Sequence, residues 1–341
     1  MEHALRSATV PGAARPAAAL PPMEAASALV AADLRRVEEL LAELLSSPVG
    51  PIPRVGHHLL GAGGKRLRPL LTLLAARAAF YDGDAAVALA CVGELIHTAT
   101  LLHDDVVDEG NVRRGRPAAR IVHGNGIAVL VGDYCLARAL ETVGRAGGIT
   151  AVASLARAVT EMAEGEVAQL MNAGQVDLVP DDYYRIIDRK TATLVGWCCT
   201  VGGLLDPALE AALATYGREV GRAFQIADDV LDCAGDPRAT GKTRGQDLRE
   251  GKLTLPVLLA CQIQPPLRER LQALLRRRAP YDGDEVAAIL DEVRAAGGLL
   301  LAHSAACTHG RAAQSALTRL EPSPYRDALC DLAMFAAERG A

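Results

Sequence analysis

Aromatic side chains are scarce in this 341-residue chain: one Trp, three Phe and seven Tyr, or 3% of the residues. A nucleic-acid site wants a basic face and stacking platforms, and a net charge of −5 with so few rings argues against that class of partner. Eight cysteines (91, 135, 198, 199, 233, 261, 307 and 330) include no Cys-x-x-Cys pair and have no histidine at zinc-ligand spacing. They read as small core residues of a reducing compartment, so a cytoplasmic location is expected. No stretch of 18 or more uncharged apolar residues occurs, so no membrane span is expected. Runs of alternating apolar and polar residues bounded by hairpin turns are also missing. Lysine is rare: of 36 basic residues only Lys65, Lys190, Lys242 and Lys252 are lysines.

What is present is half apolar, mostly Ala, Leu and Val at helical spacing, which predicts an all-α protein. Residues 1–22 are rich in Ala and Pro with few large apolar side chains and read as a disordered tail. Residues 23–341 read as one helical domain. Helices are expected near 24–46, 66–80, 84–109, 125–146, 150–172, 181–204, 207–232, 251–263, 281–296, 298–320 and 325–339. Gly110, Gly147-Gly148 and Gly235-Asp236-Pro237 punctuate them. Helices this apolar must bury most of their surface against one another, as in a large bundle.

One pattern occurs twice. Asp104-Asp105-Val106-Val107-Asp108 and Asp228-Asp229-Val230-Leu231-Asp232 each close a long apolar helical stretch. Residues four apart share a helix face, so Asp104 sits with Asp108 and Asp228 with Asp232, and like charges at that spacing repel. A single such quintet could be a solvated helix end; two with identical spacing point to a bound cation. Carboxylates without His or Cys are hard oxygen donors suited to Mg²⁺, which binds through one or two carboxylates together with phosphates and water. A phosphorylated substrate follows. The lysines agree, since a compact ammonium serves phosphate as a point charge. Lys65 lies in the loop Gly61-Ala62-Gly63-Gly64-Lys65-Arg66-Leu67-Arg68-Pro69, which can bring backbone amides and three cations onto one anion. It is not a P-loop, because Leu59 and Arg66 stand where a Walker glycine and Ser/Thr belong. Lys242 and Lys252 both follow the second quintet.

Gly-Gly-Lys-Arg-Leu-Arg-Pro, then Glu-Leu-Ile-His-Thr-Ala-Thr-Leu-Leu-His-Asp-Asp-Val-Val-Asp, then Phe-Gln-Ile-Ala-Asp-Asp-Val-Leu-Asp, in that order, resemble the trans-isoprenyl diphosphate synthases. The likeness runs from about residue 30 to 340 and is strongest to the bacterial long-chain polyprenyl synthases that make quinone side chains. It implies an isoprenoid-synthase helical bundle around a deep central cavity, with the two quintets facing across its mouth and three Mg²⁺ ions on an allylic diphosphate. It also implies Asp104, Asp105, Asp108, Asp228 and Asp232 as metal sites, and Arg113, Lys190 and Lys242 around the departing diphosphate. Isopentenyl diphosphate would meet Lys65, Arg68, His97 and Arg114, and Lys252 would be a further substrate-binding cation. Thr191, Gln225 and the carbonyls near Lys190 would stabilise the allylic cation. The expected primer is a geranyl, farnesyl or geranylgeranyl diphosphate, and a homodimer is expected.

Helix geometry supports two of these placements: His97 lies seven residues, two turns, before Asp104, and Gln225 lies three before Asp228. His103 turns to another side and reads as structural. Short-chain relatives carry bulky aromatics at the fourth and fifth positions before the first aspartate; here these are Thr100 and Ala99. With Gly93, Ala128, Gly132, Cys135 and Ala139 adding little bulk, a long tunnel and a long product are expected. Shorter geranylgeranyl or farnesyl products, a class I terpene cyclase and a silent subunit of a heteromeric synthase remain as alternatives. The cyclase fits less well because the second motif is aspartate throughout, and the silent subunit because both motifs are kept.

Overall fold

The computed structural model describes residues 20–60, 66–113, 115–202, 207–235, 244–277 and 281–339. The first half contains α1 (Pro22–Leu29), α2 (Ala31–Leu44), α3 (Pro51–Leu60), α4 (Leu67–Ala78), α5 (Ala85–Val107), α6 (Ala119–His123) and α7 (Asn125–Asn172). The second contains α8 (Pro180–Ile187), a π-helical turn (Asp188–Ala192), α9 (Thr193–Gly202), α10 (Pro207–Ala234), α11 (Gln246–Arg249), α12 (Leu255–Ile263), α13 (Pro265–Leu275), α14 (Gly283–Ala295), α15 (Gly298–Ala316) and α16 (Pro324–Glu338). Among the described residues, strand structure is confined to β1 (Val112–Arg113) paired antiparallel with β2 (Arg116–Pro117). The protein is all-α, as the composition predicts.

Four helices were not expected from the sequence: the short α6 and α11, and the longer α3 and α13. Both α3 and α13 begin at proline, Pro51 and Pro265, where the fixed φ suits the first helical turn and no amide is lost. The helix expected over 24–46 is instead two, broken at Val30, whose φ of −124° leaves the helical range. The expected tail lies outside the described residues apart from its last three, and Pro22 already opens α1.

Helix α5 is central and packs against α2, α4, α7 and α9. Leu89, Leu95, Ile96 and Leu102 are buried along it. It is long and apolar enough to cross a membrane by length and composition alone, but Glu94 interrupts the run and 72% of its most apolar window is buried inside the fold. A second core lies under α8, α10, α12, α14 and α15, built on Ile226, Leu258, Ile289, Leu290 and Val293.

Helix α7 runs for 48 residues and bends at Gly148, whose φ of 67° and ψ of −169° only glycine adopts without strain. The break foreseen at Gly147-Gly148 is therefore a kink within one element. The continuous helix expected over 181–204 is interrupted by the π-turn, in which the Thr193 amide donates to the Asp188 carbonyl five residues back. This turn is wedged between α7 and α10. A Cβ on Gly165 would fall 2.8 Å from the Lys190 nitrogen, and one on Gly221 2.6 Å from the Ala192 Cα, so both neighbours are glycine because the backbones touch.

Candidate active site

The first quintet ends α5. The middle one of its three aspartates, Asp105, is fully buried, and Arg113 on β1 donates to its Oδ1 through Nε (2.9 Å) and Nη2 (2.6 Å). Oδ2 of Asp105 is buried without a hydrogen-bond partner. Asp104 and Asp108 are half-buried on the face toward the second half of the molecule. Burial pushes the Asp104 carboxyl up to about 6 against the pull of Lys190, and the charges of Glu166 and Asp108 push the same way as burial. Asp108 receives the Lys252 ammonium at 3.3 Å, and the same ammonium reaches Glu250 at 2.8 Å. Burial opposes the charge on Lys252, yet Glu250 and Asp108 outweigh it and hold its pKa above the ordinary lysine value.

The second quintet lies inside α10, which continues to Ala234. Asp229 is buried, and among the described residues no cation pairs with it. Instead Tyr183 donates to Oδ2 at 2.6 Å and Gln225 Nε2 donates to Oδ1 at 2.8 Å. Burial, with Asp247 adding repulsion, pushes the Asp229 carboxyl well above the usual range. Asp232 accepts the backbone amides of Gln246 (3.1 Å) and Asp247 (3.3 Å) at the start of α11. Asp228 meets the Arg339 guanidinium of α16 at 3.4 Å, and that guanidinium lies 4.4 Å over the Phe224 ring.

Beside the second quintet lies a cleft of about 670 Å³, counting the part open to solvent, lined in part by Lys190, Thr191, Gln225, Asp229, Asp247 and Lys252. Lys190 projects from the π-turn and pairs with Glu166 of α7 at 2.6 Å. The Thr191 hydroxyl donates to Gln225 Oε1 at 2.8 Å, so Thr191, Gln225, Asp229 and Tyr183 form one hydrogen-bonded chain along the wall. Six of the residues singled out by sequence are therefore brought together from four segments: Lys190 and Thr191, Gln225 and Lys252 line the cleft, and Asp104 and Asp108 adjoin it through Lys190 and Lys252.

Others stand apart. Lys65, Lys242 and Arg114 lie outside the described residues. Arg68 and His97 are half-buried on facing stretches of α4 and α5: a Cβ on Gly93, one turn before His97, would lie 3.8 Å from Arg68 Cβ. The expectation that three loop cations share one anion changes at Arg66. Its backbone is left-handed (φ 45°), and its guanidinium turns to Glu38 (2.5 Å) and Glu94 (2.9 Å), tying α2 to α5. Two of the small residues assigned to the tunnel are packing contacts instead. A Cβ on Gly93 would fall 2.5 Å from Cys198 Sγ, and one on Gly132 would fall 2.4 Å from His103 Nε2. His103 itself lies against Val129 O (3.2 Å) and Asp133 (3.3 Å), the structural place expected for it. Thr100 stays half-buried on the His97–Asp104 face, whereas Ala99 is buried in the main core.

Sequence reasoning missed Glu166, Tyr183 and Asp247. Glu166 and Tyr183 come from helices remote in sequence, and only Asp247, between the two downstream lysines, stood inside a segment already singled out.

For a cation, the donors available are carboxylates, with orphaned buried oxygens on Asp105 and Glu166. Among the described residues no three His, Cys, Asp or Glu side chains gather to hold an ion alone. Asp104, Asp108 and Asp228 thus fit a hard divalent ion whose coordination is completed by substrate phosphates and water.

Residues 51–293 match the Polyprenyl synthetase family. Octaprenyl diphosphate synthase of Escherichia coli (strain K12) is 40% identical over 323 residues, covering 93% of this chain and 99% of that protein. An all-trans-nonaprenyl-diphosphate synthase (geranyl-diphosphate specific) of Rhodobacter capsulatus is 38% identical over 314 residues, covering 91% and 96%. Among solved structures, a polyprenyl synthase from Caulobacter crescentus CB15, complexed with calcium and isoprenyl diphosphate, superposes with a TM-score of 0.90 at 40% identity over 94% of this chain and 98% of that one. With likeness of this extent in both sequence and backbone, the chain belongs to the polyprenyl synthetase family.

Proposed function

We propose that this protein is a Mg²⁺-dependent prenyltransferase that condenses an allylic diphosphate with isopentenyl diphosphate, head to tail and all-trans, to a long-chain polyprenyl diphosphate serving as a quinone side chain. The observation that carries this reading is that Lys190, Lys252 and the Thr191–Gln225 pair line one cleft, with Asp104 under the charge of Lys190 and Asp108 paired with Lys252. When bound, up to three Mg²⁺ ions on Asp104, Asp108 and Asp228 would neutralise charge building on the departing diphosphate. Asp105 and Asp232, proposed with them as metal sites, hold Arg113 and the α11 amides, and so support the ligands beside them.

Lys190 and Lys252 bring fixed positive charge to the leaving group, with Lys242 and Arg113 proposed beside them. Thr191, Gln225 and the irregular carbonyls of the π-turn offer dipoles to the allylic cation left behind. Arg68 and His97, with Lys65 and Arg114, hold isopentenyl diphosphate so that its double bond meets that cation. The proton lost after bond formation passes to the released diphosphate, so no side-chain base is required.

Long products are supported by the small side chain of Thr100, one turn before Asp104, and by the octaprenyl and nonaprenyl synthases among the relatives. We also propose a homodimer, to which the exposed apolar residues Ile121, Val122 and Leu130 are suited; sedimentation at the monomer mass would remove that part.

The test is incubation with Mg²⁺, labelled isopentenyl diphosphate and a farnesyl diphosphate primer, followed by chromatography of the dephosphorylated products. Prenyl alcohols well beyond farnesol are expected. Products stopping at geranylgeraniol would move the protein to the short-chain group, and a cyclic hydrocarbon or no product would overturn the reading.

A further inference from the structure

The π-turn presents Lys190 and Thr191 to the cleft, yet nothing in those two residues fixes the turn itself. A π-turn carries one residue more than regular helix, an arrangement that persists only where its surroundings hold it. The surroundings here are specific. Asp188, first residue of the turn, is gripped by Arg222 of α10 on both oxygens: Nε to Oδ1 at 2.5 Å and Nη2 to Oδ2 at 2.7 Å. The remaining prong of the same guanidinium, Nη1, reaches Glu219 Oε1 at 2.7 Å. Glu219 Oε2 in turn lies 2.6 Å from His309 Nδ1 on α15, and the His309 ring packs 5.6 Å from that of Tyr184 on α8. All four polar side chains are about three-quarters buried or more. A two-pronged Arg–carboxylate pair fixes orientation as well as distance, and partial burial limits the screening that makes surface pairs weak.

Arg222 stands three residues, just under one turn, before Gln225, so adjacent positions on α10 carry the grip on the turn and the amide that Thr191 meets. We infer that Arg222, acting through Asp188, is a positioning residue that holds the π-turn in the register presenting Lys190 and Thr191 to the reacting diphosphate. This rests on the prenyl-transfer reading above. Were the turn to relax to regular α-helix, residues on one side of it would rotate by about 100° relative to the other, the step of one helical residue. Lys190 would then leave Glu166, and Thr191 would leave Gln225. Neither Asp188 nor Arg222 touches the cleft itself, so the effect on chemistry is indirect. Arg68 and His97 project from α4 and α5 and do not depend on the turn, so isopentenyl diphosphate binding should be spared.

The test compares Asp188→Asn, Arg222→Gln and Arg222→Lys with Arg277→Ala, which removes an exposed ion pair to Glu285, neither residue of which lines the cleft. In Asp188→Asn and Arg222→Gln, kcat is expected to fall about 10- to 100-fold, the size of effect that misplacement by an ångström produces. KM for isopentenyl diphosphate should stay within about twofold, the protein should remain folded, and Arg222→Lys, keeping charge and one prong, should be intermediate. Hydrogen exchange supplies a readout independent of turnover: the Thr193 amide should exchange faster in both charge-removing variants, with amides of α5 unchanged. A kcat equal to that of Arg277→Ala, or exchange that quickens equally at Thr193 and in α5, would overturn the inference. Absence of prenyl transfer in the unmodified protein would instead sink the functional reading, and exchange at Thr193 would still decide whether the pair holds the turn.

Discussion

The two aspartate quintets have the same spacing but are compensated differently. Around the first, the protein supplies formal positive charge: Arg113 on Asp105, Lys252 on Asp108, and Lys190 near Asp104. Around the second, the supports that the described residues give Asp229 and Asp232 include dipoles: the Tyr183 hydroxyl and Gln225 amide on Asp229, and backbone amides on Asp232. The cation seen there is Arg339 on the outer Asp228. Part of the cause is the local chain. The first quintet ends its helix at Val107 and is followed at once by the arginine-bearing hairpin, whereas the second is carried inside a helix whose neighbours are α8 and the start of α11. A repeated motif therefore marks where charge is needed but not how that charge is held in place.

The largest expected effect breaks both halves equally. Asp104→Ala and Asp228→Ala should each lower turnover by about 10²–10³, the usual loss when one interaction with developing oxyanion charge is removed. Steady-state rates at ordinary Mg²⁺ check this, and near-normal turnover in either variant would remove that quintet from the site.

Next comes the contrast itself. Arg113→Ala leaves Asp105 as an uncompensated buried charge and should cost about 3 kcal/mol of stability or more. Tyr183→Phe leaves Asp229 with Gln225 and should cost about 1–3 kcal/mol, the desolvation penalty of one lost hydrogen bond. Denaturant unfolding ranks the two, and a larger loss for Tyr183→Phe would reverse the assignment of ionic and dipolar support.

A third expectation separates neighbours on α5. Thr100→Phe should shorten the prenyl product with the fold intact, because Thr100 is half-buried one helical turn before Asp104. Ala99→Phe should instead overpack the core at about 1–3 kcal/mol. Product chromatography together with melting curves distinguishes them, and an unchanged product from Thr100→Phe would place the length gauge elsewhere.

The smallest effect is on acid stability, well away from both quintets. Burial disfavours the Glu219 carboxylate, yet His309 and Arg222 outweigh it and hold its pKa below the ordinary 4.5. The native state therefore binds this proton more weakly than the unfolded chain. Its contribution is complete above the unfolded value and disappears as the pH falls through the lower folded one. Glu219→Gln should flatten that part of the acid limb in melting experiments, and an unaltered limb would show that the carboxylate is not so held.

Much of this was readable beforehand. Apolar periodicity located the long helices, and Lys190, Lys252 and the second quintet pointed to residues that line the cleft, because charge in an apolar chain requires a reason. The helices α3 and α13 escaped because proline both stops and starts helices, and only the three-dimensional setting says which. The π-turn escaped because Asp188–Ala192 carries no residue that a regular helix would refuse; its cause lies in the glycines and Arg222 that press on it from other helices. Glu166 and Tyr183 escaped for the same reason: the residues they serve are distant along the chain.

The bend in α7 has a mechanical corollary. From Gly148 to Glu166 the helix forms a lever arm of about 27 Å, 18 residues at 1.5 Å each. A swing of only about 2° at the fulcrum would carry Glu166 sideways by about 1 Å, enough to part it from Lys190. Angular stiffness at Gly148, supplied by the buried seats of Ala151, Leu155, Ala158 and Met162, is thus a tolerance on an ion pair at the far end of the arm.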